Sequence, residues 1–346
     1  MKDLYLNNFY NLDLYGKSSK KPYNRGKSFG YQILGFGSGV AAAAAALPTQ
    51  KGIFPFGYAY IAATDSHVYY GTSNIVNDSG VMQADVSAVG AAKAQGAGAT
   101  YGGDKGIHAF GYLDSTSANN NTSNLITNLG VVSTDVTGVG TARLELSAVS
   151  YGVGTALFAF GTSSGGVGNI KNLVSDAGVV ATDASGVGTA GASRMECSFG
   201  GVAAGTAIIA FGSSNNINLV SNVGVVASDT TYSGPSNHTQ GAGCTFGDDQ
   251  GIMGYGSASG QSNIISNTGG IGSDVSRVGL FRISLAACGY GGDKGIFAFG
   301  NSRDGDGEFN TATTNLVNNS GTVASDTSGA SGATAKQTEQ GCGFGN

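Results

Sequence analysis

One polar pattern recurs six times along the chain with constant internal spacing. Each copy has Asn followed by Leu or Ile, then Asn or Asp at +4, Gly at +6 and Asp at +11. The first residues are Asn74, Asn124, Asn172, Asn218, Asn263 and Asn315, and the last are Asp85, Asp135, Asp183, Asp229, Asp274 and Asp326. Successive copies lie 45 to 52 residues apart. This period is typical of stacked copies of one supersecondary unit, such as a propeller blade.

A second pattern, an apolar run that ends in an aromatic residue and Gly, precedes each Asn. Residues 297–300 (Phe-Ala-Phe-Gly) are one example, and the tight turn Gly-Asp-Lys-Gly at 292–295 comes just before them. Asp-Lys-Gly between two β-like runs indicates a hairpin in which Gly takes a positive φ. Each unit is therefore predicted to contain strand 1, a hairpin, strand 2, a variable loop, strand 3 from the Asn, and strand 4 up to the Asp.

The two ends of the chain predict that the units close into a ring. The first complete unit begins with a strand 2 at 51–57, and the last stops after a strand 1 at 341–346. One blade that combines strands from both ends removes the exposed sheet edges of an open array. We therefore expect an all-β fold, a closed β-propeller over residues 31–346. Six motifs favour six blades; the alternative is seven, with a shortened closing blade built from 32–37 and the C-terminal strand.

Composition agrees with a folded, turn-rich β protein that has little charge on its surface. Gly accounts for 60 of 346 residues, charged residues for 11% and hydrophobic residues for 40%, with a net charge of −5. Disordered chains combine low hydrophobicity with high net charge, which this chain does not. No apolar run reaches 18 residues and no signal peptide is recognisable, so we expect no membrane insertion.

Residues 1–30 differ from the remainder in charge. They hold six basic and two acidic residues, a net +4, whereas the remainder carries −9. This predicts an extended basic assembly arm that docks on another chain, with a solvated terminus as the alternative. Its polar and apolar residues alternate, which suits strand addition to a neighbour's sheet edge. The arm residues assigned to docking are Tyr5, Tyr10, Tyr15, Lys20, Lys21 and Arg25.

The residue types that often carry chemistry have structural explanations here. Cys197, Cys244, Cys288 and Cys342 share one strand 1 position, which is Ala99 and Val149 in the other units. A position that accepts Cys, Ala or Val is a small apolar slot, so free buried thiols are expected. The repeated Asp is expected to accept backbone N–H groups in the turn after strand 4.

No pattern in the chain predicts an enzyme, a cofactor or a nucleic-acid site. Residues 186–191 match a dinucleotide fingerprint formally but lead into a strand, and 161–165 match a hydrolase elbow with no helix after it. The acidic loop with Asp304, Asp306 and Glu308 is the one cluster with ligand-like spacing. We expect a solvated loop there, with a calcium site as the alternative.

The loops between strands 2 and 3 differ in length from unit to unit. They hold 16, 12, 10, 5, 6 and 14 residues, and the longest are 58–73, 112–123 and 301–314. Ring closure makes these three loops neighbours, and long loops on a rigid scaffold concentrate binding residues. The alternative is tolerated insertion. The candidate partner- or glycan-binding residues are Tyr58, Tyr60, His67, Tyr69, Tyr70, Tyr112, Arg303 and Phe309.

Residues 286–300, Ala-Ala-Cys-Gly-Tyr-Gly-Gly-Asp-Lys-Gly-Ile-Phe-Ala-Phe-Gly, resemble the hairpin of kelch and RCC1-type propeller blades. The chain departs from those repeats in having no Trp. Over residues 51–346 it is more similar to Gly-rich repeat proteins of tailed bacteriophages. The resemblance implies a structural virion protein of the tail, a fibre or a capsid decoration, with other virion proteins as partners through the arm and long loops. The alternative is a lectin-like propeller that binds a host surface glycan.

Overall fold

The computed structural model describes residues 49–345, apart from 187, 201–203, 213, 233–237, 258–259, 303, 305–307 and 339. The proposed arm and the extra strand candidates before residue 48 lie outside the described residues. The described part is all-β and consists of many small antiparallel sheets, as the sequence predicted. One 3-10 helix, Asp114–Thr116, lies in a loop.

Six copies of one three-stranded antiparallel unit make up the body of the fold. The first strands are Cys342–Phe344, Ala97–Tyr101, Ser147–Tyr151, Met195–Phe199, Ala242–Phe246 and Ala286–Tyr290, for units 1 to 6. The second strands are Lys51–Pro55, Lys105–Ala109, Thr155–Ala159, Thr206–Ala210, Gln250–Gly254 and Lys294–Ala298. The third strands are Thr72–Val76, Ser123–Ile126, Lys171–Val174, Asn216–Val220, Ser262–Ile265 and Thr314–Val317. Within each unit the second strand pairs with the other two.

These units also carry two-residue strands and one additional hairpin. Unit 1 carries the hairpin Tyr58–Ile61 and Ser66–Tyr69 in its long loop. The short strands are Val86–Ser87, Lys93–Ala94, Tyr112–Leu113, Ala118–Asn119, Arg143–Leu144, Thr162–Ser163, Gly166–Val167, Thr230–Thr231, Arg282–Ile283, Asn301–Ser302 and Phe309–Asn310. The predicted fourth strand is reduced to isolated bridges in most units, such as Ile126 with Val132. The prediction of a full strand 4 was therefore wrong, because the side-chain contacts described below hold this segment instead.

Unit 1 combines strands from both ends of the described chain. Cys342–Phe344 pairs antiparallel with Lys51–Pro55, in the register Lys51 with Phe344 and Ile53 with Cys342. This confirms the predicted pairing of the C-terminal strand with residues 51–57. The alternative closing blade with residues 32–37 lies outside the described residues.

Backbone hydrogen bonds link each unit to the next at the end of the strands that carries the hairpins. A Gly N–H donates to a carbonyl in the following unit at 2.6 to 2.9 Å. The donor and acceptor pairs are Gly102 to Gly154, Gly152 to Gly205, Gly200 to Asp249, Gly247 to Asp293, Gly291 to Gln50 and Gly345 to Asp104. The last two pairs connect unit 6 to unit 1 and unit 1 to unit 2. The series of six bonds therefore returns to its starting point, and first strands of successive units contact each other in the same order.

The constant spacing of the polar motif has a direct explanation in side-chain hydrogen bonds. The buried Asn at the third strand donates from Nδ2 to the Asp eleven residues later at 2.7 to 2.9 Å in every unit. The same Nδ2 also reaches the carbonyl two residues before that Asp, such as Ser133 for Asn124. A change of one residue in this spacing would break both bonds.

The motif Asp accepts backbone N–H groups, but from a distant part of its own unit. Asp135 accepts from Ala91 and Asp183 from Thr141, in the segments that lead into the first strands. Asp85 accepts from Thr334 at 3.0 Å, which joins the two ends of the chain in unit 1. The prediction of a local turn after strand 4 was therefore wrong about the donor. The carboxylate fastens the end of a unit to its beginning.

The motif Gly makes room for an aromatic ring of the preceding unit. A Cβ on any of these six glycines would lie 2.6 to 2.9 Å from the ring at the end of the neighbouring first strand, such as Phe344 beside Gly130. Their φ angles lie between 75° and 84°, a region in which side chains are strained. Both the contact and the backbone therefore require Gly at +6.

A buried basic group lies between most neighbouring units. Lys93, Arg143 and Arg282 lie four residues before a first strand, and Lys336 lies six residues before Cys342. All four are at most 1% exposed. Each lies over the ring of an aromatic residue in the preceding unit at 4.3 to 5.2 Å from the centroid. Unit 4 instead uses Arg194 over Phe160, and unit 5 places His238 against Phe211. The Lys and Arg contacts join units through cation–π attraction, and His238 makes an edge-to-face ring contact.

The four cysteines are free and buried, as predicted. Each packs against a Gly at the second position of the next unit's second strand, where a Cβ would lie 2.3 to 2.5 Å from the sulfur. The Cys and Gly pairs are Cys197 with Gly251, Cys244 with Gly295, Cys288 with Gly52 and Cys342 with Gly106. Units 2 and 3 have no Cys at this position, and the matching position of the following unit is Ala156 or Ala207 instead of Gly. A Cys in one unit is therefore paired with a Gly in the next unit, which leaves room for the sulfur.

This pairing predicts a double-mutant effect at one boundary. Gly106→Ala places a Cβ 2.5 Å from the Cys342 sulfur and should destabilise the fold by about 1–3 kcal/mol through overpacking. Cys342→Ala removes the sulfur, so the double variant should be more stable than the sum of the single effects implies. Urea unfolding of the four proteins measures the coupling. Strictly additive effects would show that the two residues do not share the space.

Alkaline pH should destabilise the protein through these thiols. Burial raises the pKa of Cys244 and Cys342 to about 12, against an ordinary value of 9.0, and also raises that of Cys197 and Cys288. Their contribution to stability is complete below pH 9 and is lost as pH rises towards 12, at about 1.4 kcal/mol per thiol and pH unit.

The measurement compares free energies of unfolding at pH 8 and 10.5 with those of a Cys244→Ala, Cys342→Ala variant. The variant should lose less stability over this interval. Burial lowers the pKa of Lys336 to about 8, so this residue raises the free energy of unfolding between pH 8 and 10.5, whereas the thiols lower it. Comparison of the two proteins separates the thiol contribution from that of Lys336. Equal losses in both proteins would contradict the thiol explanation.

Candidate functional site

The candidate binding residues lie at the end of the strands opposite the hairpins. Each second strand begins at its hairpin and ends at the aromatic-Gly pair, from which the variable loop departs. The aromatic residue of that pair has a φ between 62° and 67° in all six units. Left-handed backbone at a residue that is not Gly is unfavourable, and the buried packing of the ring offsets it. The loop therefore leaves each unit in a fixed direction.

Five of the predicted aromatic residues form a continuous row of rings, which we call the aromatic ladder. It contains Tyr60, His67, Tyr58, Tyr69 and Tyr112 in that order. Neighbouring ring centroids along this row are 5.4 to 5.9 Å apart. Tyr60 and His67 are exposed, and the other three are half-buried. The row runs from the tip of the unit 1 hairpin to the loop of unit 2.

The hairpin that carries the ladder is held at both its base and its tip. At the base, Tyr58 and Gln337 exchange two backbone hydrogen bonds of 2.9 and 2.7 Å. At the tip, the Tyr60 hydroxyl donates to Asp65 Oδ1 at 2.8 Å, which closes the turn. These contacts fix the rings before any ligand binds, which lowers the entropy cost of association.

The loop of unit 6 reaches the same hairpin from the other side. Asn310 donates to the Tyr60 carbonyl at 3.0 Å and accepts from Gln337 at 3.1 Å. Phe309, the preceding residue, is 50% exposed. The three longest loops, in units 1, 2 and 6, are therefore neighbours, as ring closure predicted. Together with the ladder we call this surface the long-loop sector.

Two tyrosines of the aromatic ladder have a raised pKa, and both shifts have local causes. The hydrogen bond to Asp65 raises the pKa of Tyr60, and burial raises that of Tyr69. Neither shift brings a phenol near neutral pH, so the hydroxyls stay protonated and donate hydrogen bonds. Such a surface offers ring faces, hydroxyls and carboxylates, which suits recognition of a ligand or a partner.

Several predicted residues lie apart from the ladder. Tyr70 is half-buried, and burial and the Asp85 carboxylate raise its pKa. Arg303 and Asp306 lie outside the described residues. Asp304 accepts two hydrogen bonds of 3.0 Å from Arg277 and one of 2.7 Å from the Phe281 N–H. Within the described ranges, no group of three His, Cys, Asp or Glu residues is arranged to hold a metal ion.

Sequence reasoning missed the polar residues that position the ladder. Asp65, Asn310 and Gln337 make the contacts that hold the hairpin, yet none belongs to a repeated motif. Asn310 was within a loop already singled out, but Gln337 lies in the segment before the C-terminal strand. Aligning that segment with residues 93–97 of unit 2 is the signal that would have placed it beside the unit 1 loop.

Comparison with known proteins does not assign the chain to a family. No protein-family model matches the chain, and no curated protein is similar to it in sequence. Within the part of the chain that the structure describes, no helix has the length and apolar character needed to cross a membrane.

Proposed function

We propose that the protein is a non-enzymatic assembly module: a closed six-bladed β-propeller that serves as a structural protein of a tailed-phage particle. The long-loop sector is its contact surface for another virion protein, and the basic arm provides a second contact. The observation that carries this proposal is the aromatic ladder, a pre-formed row of rings on a rigid scaffold. Tyr is enriched at protein interfaces because it supplies large contact area at low entropy cost.

The closed ring is supported by the hydrogen bonds that return from unit 6 to unit 1, and by the mixed origin of unit 1. A closed propeller leaves only short, protected strand edges and keeps the long loops at fixed relative positions. Rigid scaffolds with variable loops are suited to binding.

Exposed aliphatic residues at the hairpin end favour a protein partner over a free-standing binder. Leu129 is 79% exposed and Val223 is 70% exposed. Val81, Val131, Val179 and Val225 occupy the position after the motif Gly and are also more than half exposed. These side chains recur at one position in units 1 to 4, and packing within a particle would cover them.

A lectin-like propeller that reads a host surface glycan is the second candidate function. The exposed Tyr60 ring with the nearby Asp65 carboxylate favours it, because sugars stack on aromatic rings and donate hydrogen bonds to carboxylates. Partner binding and glycan binding predict different results in the experiment below.

The test shortens 58–73 to the five-residue length of the unit 4 loop, 213–217. A phage lacking the gene is complemented with this variant, and its incorporation into particles is measured by immunoblot. The five residues kept should include 72–73, which begin the third strand of unit 1. The three-stranded units then stay intact, and the propeller should fold with little change in its circular dichroism spectrum. Incorporation should fall at least about tenfold, since loss of two or more aromatic anchors typically costs over 2 kcal/mol of binding.

The matched control shortens the unit 3 loop, 162–171, to the same five residues. This loop carries no ladder residue, so the control variant should be incorporated normally. Normal incorporation with lost adsorption to host cells would favour the glycan candidate. Normal incorporation and adsorption of the 58–73 variant would refute a role for the long-loop sector.

A further inference from the structure

A ladder of hydroxyl groups lines the centre of the described units, at the fourth residue of successive first strands. Ser150, Ser198 and Thr245 each donate to the carbonyl of the equivalent residue in the preceding unit, at 2.8 to 3.0 Å. Thr100 donates in the same way to the Gly343 carbonyl at 2.9 Å. Four consecutive units therefore satisfy an inward carbonyl with an inward hydroxyl.

This hydroxyl ladder is interrupted in unit 6. The equivalent residue there is Gly289, so the Thr245 carbonyl has no hydroxyl donor at the corresponding position. Unit 1 also has a Gly, Gly343, but its side-chain space is filled, because a Cβ there would lie 2.1 Å from Thr49 Oγ1. A Cβ on Gly289 would meet no atom closer than 3.7 Å. The open gap is thus confined to the Gly289 position.

A cavity of about 200 Å³ lies at this place, at the hairpin end, and residues of all six units line it. Next to the gap its wall includes Phe246 and Tyr290, whose buried rings pack under Gly321 and Gly80 of the neighbouring units. Asp248 and Lys294 line the same sector. Asp248 is exposed at the tip of its hairpin, and the Lys294 ammonium is 2.8 Å from Asp293. The sector therefore presents a carboxylate, an ammonium and a backbone carbonyl.

We propose that this cavity binds one neutral sugar unit of pyranose size. One sugar hydroxyl occupies the Gly289 gap and donates to the Thr245 carbonyl, as the missing side-chain hydroxyl does in other units. Further hydroxyls donate to Asp248 and accept from Lys294.

The polar groups of this sector favour a neutral polyol over an inorganic anion or a simple cation. Carbonyl and carboxylate oxygens require donors, which a simple inorganic anion lacks, and the Lys294 ammonium requires an acceptor, which a simple cation lacks. A polyol both donates and accepts, and a concave site with a few placed polar groups is typical of small-ligand binding. The volume exceeds the roughly 30 Å³ share of one water molecule several times.

This site lies at the opposite end of the strands from the aromatic ladder, so it extends beyond the proposed assembly function. The experiment titrates the full chain with the methyl glycosides of glucose, galactose, mannose and N-acetylglucosamine. Saturation-transfer NMR detects binding, and the dissociation constant comes from the same titration. The variant with 58–73 shortened should bind the same glycoside equally well, which separates this site from the long-loop sector.

Gly289→Ser is the decisive variant, because its hydroxyl completes the ladder and fills the gap. Affinity for the bound glycoside should fall about tenfold or more, the loss expected when one hydrogen-bonded position is blocked. The matched control is Gly165→Ser, in the exposed loop of unit 3, where a Cβ meets only Ser163 Oγ at 3.6 Å. It should bind as the unmodified protein does.

Asp248→Asn provides a second readout that leaves the gap intact, and it should weaken binding while the melting temperature stays unchanged. Binding of none of the four glycosides would overturn the proposal. Binding that persists unchanged in Gly289→Ser would also overturn it, since the gap would then not be the site.

Discussion

Removal of residues 341–346 should abolish the cooperative stability of the protein. The deletion removes the first strand of unit 1, including Phe344 and Cys342, which are 1% and 3% exposed. It also removes the Gly345 N–H that donates to Asp104 and the carbonyl that accepts from Gln50. Loss of a buried aromatic residue alone costs about 3–5 kcal/mol, against a total of about 5–15 kcal/mol for a typical domain.

The exposed second strand of unit 1 makes a second consequence measurable. Lys51–Pro55 would become a free sheet edge, and free edges pair with other chains. We therefore expect the truncated protein to unfold at a much lower temperature by circular dichroism and to form oligomers by size-exclusion chromatography. Phe344→Ala in the full chain is the graded control and should lose only the side-chain contribution. An unchanged melting temperature after truncation would contradict the ring-closure interpretation.

The unit boundaries were predictable because they rest on local patterns of fixed length. The Asn-to-Asp spacing of eleven is set by hydrogen bonds within one segment, so it survives in all six copies. The motif Gly was also predictable from the sequence, although its partner ring lies in another unit. Such signals are strong because a one-residue shift removes the contact entirely.

Contacts between distant segments were harder to predict. The Asp was correctly expected to accept backbone N–H groups, but the donors lie 40 to 46 residues earlier in four units and 249 residues later in unit 1. The buried basic groups were missed altogether, because unit 4 moves its Arg three positions, to Arg194, and unit 5 uses His238. A single sequence does not distinguish such a residue from a solvated surface charge.

The candidate site was predictable in part. Loop length and closure placed the long loops together, and five of the listed aromatic residues do form one ladder. Tyr70 was grouped with them on residue type alone, yet it lies beside Asp85, whose carboxylate is part of the structural motif. Composition identifies which residues suit binding, whereas only strand register decides which of them meet.

The network around Lys93 predicts a large and asymmetric mutational effect. The Lys93 ammonium is fully buried and donates to Asn124 at 2.8 Å, to Thr122 at 2.9 Å and to Asp135 at 3.2 Å. Burial lowers its pKa, which shows that the charged form is costly in this environment. Asp135 is the partner that neutralises this charge, and it is itself partly exposed.

Asp135→Ala should therefore destabilise the protein by about 3–5 kcal/mol, because a buried charge loses its counter-ion and Asn124 loses an acceptor. Lys93→Met should cost far less or even stabilise, since a thioether packs on the Phe56 ring without a desolvation penalty. Asp176→Ala, at an exposed turn of the next unit, is the control and should change stability by less than about 0.5 kcal/mol. The double variant Lys93→Met, Asp135→Ala should recover most of the loss, which urea unfolding of all four variants would measure. If Lys93→Met and Asp135→Ala destabilise equally and additively, the buried ammonium does not depend on Asp135 and the network does not act as a unit.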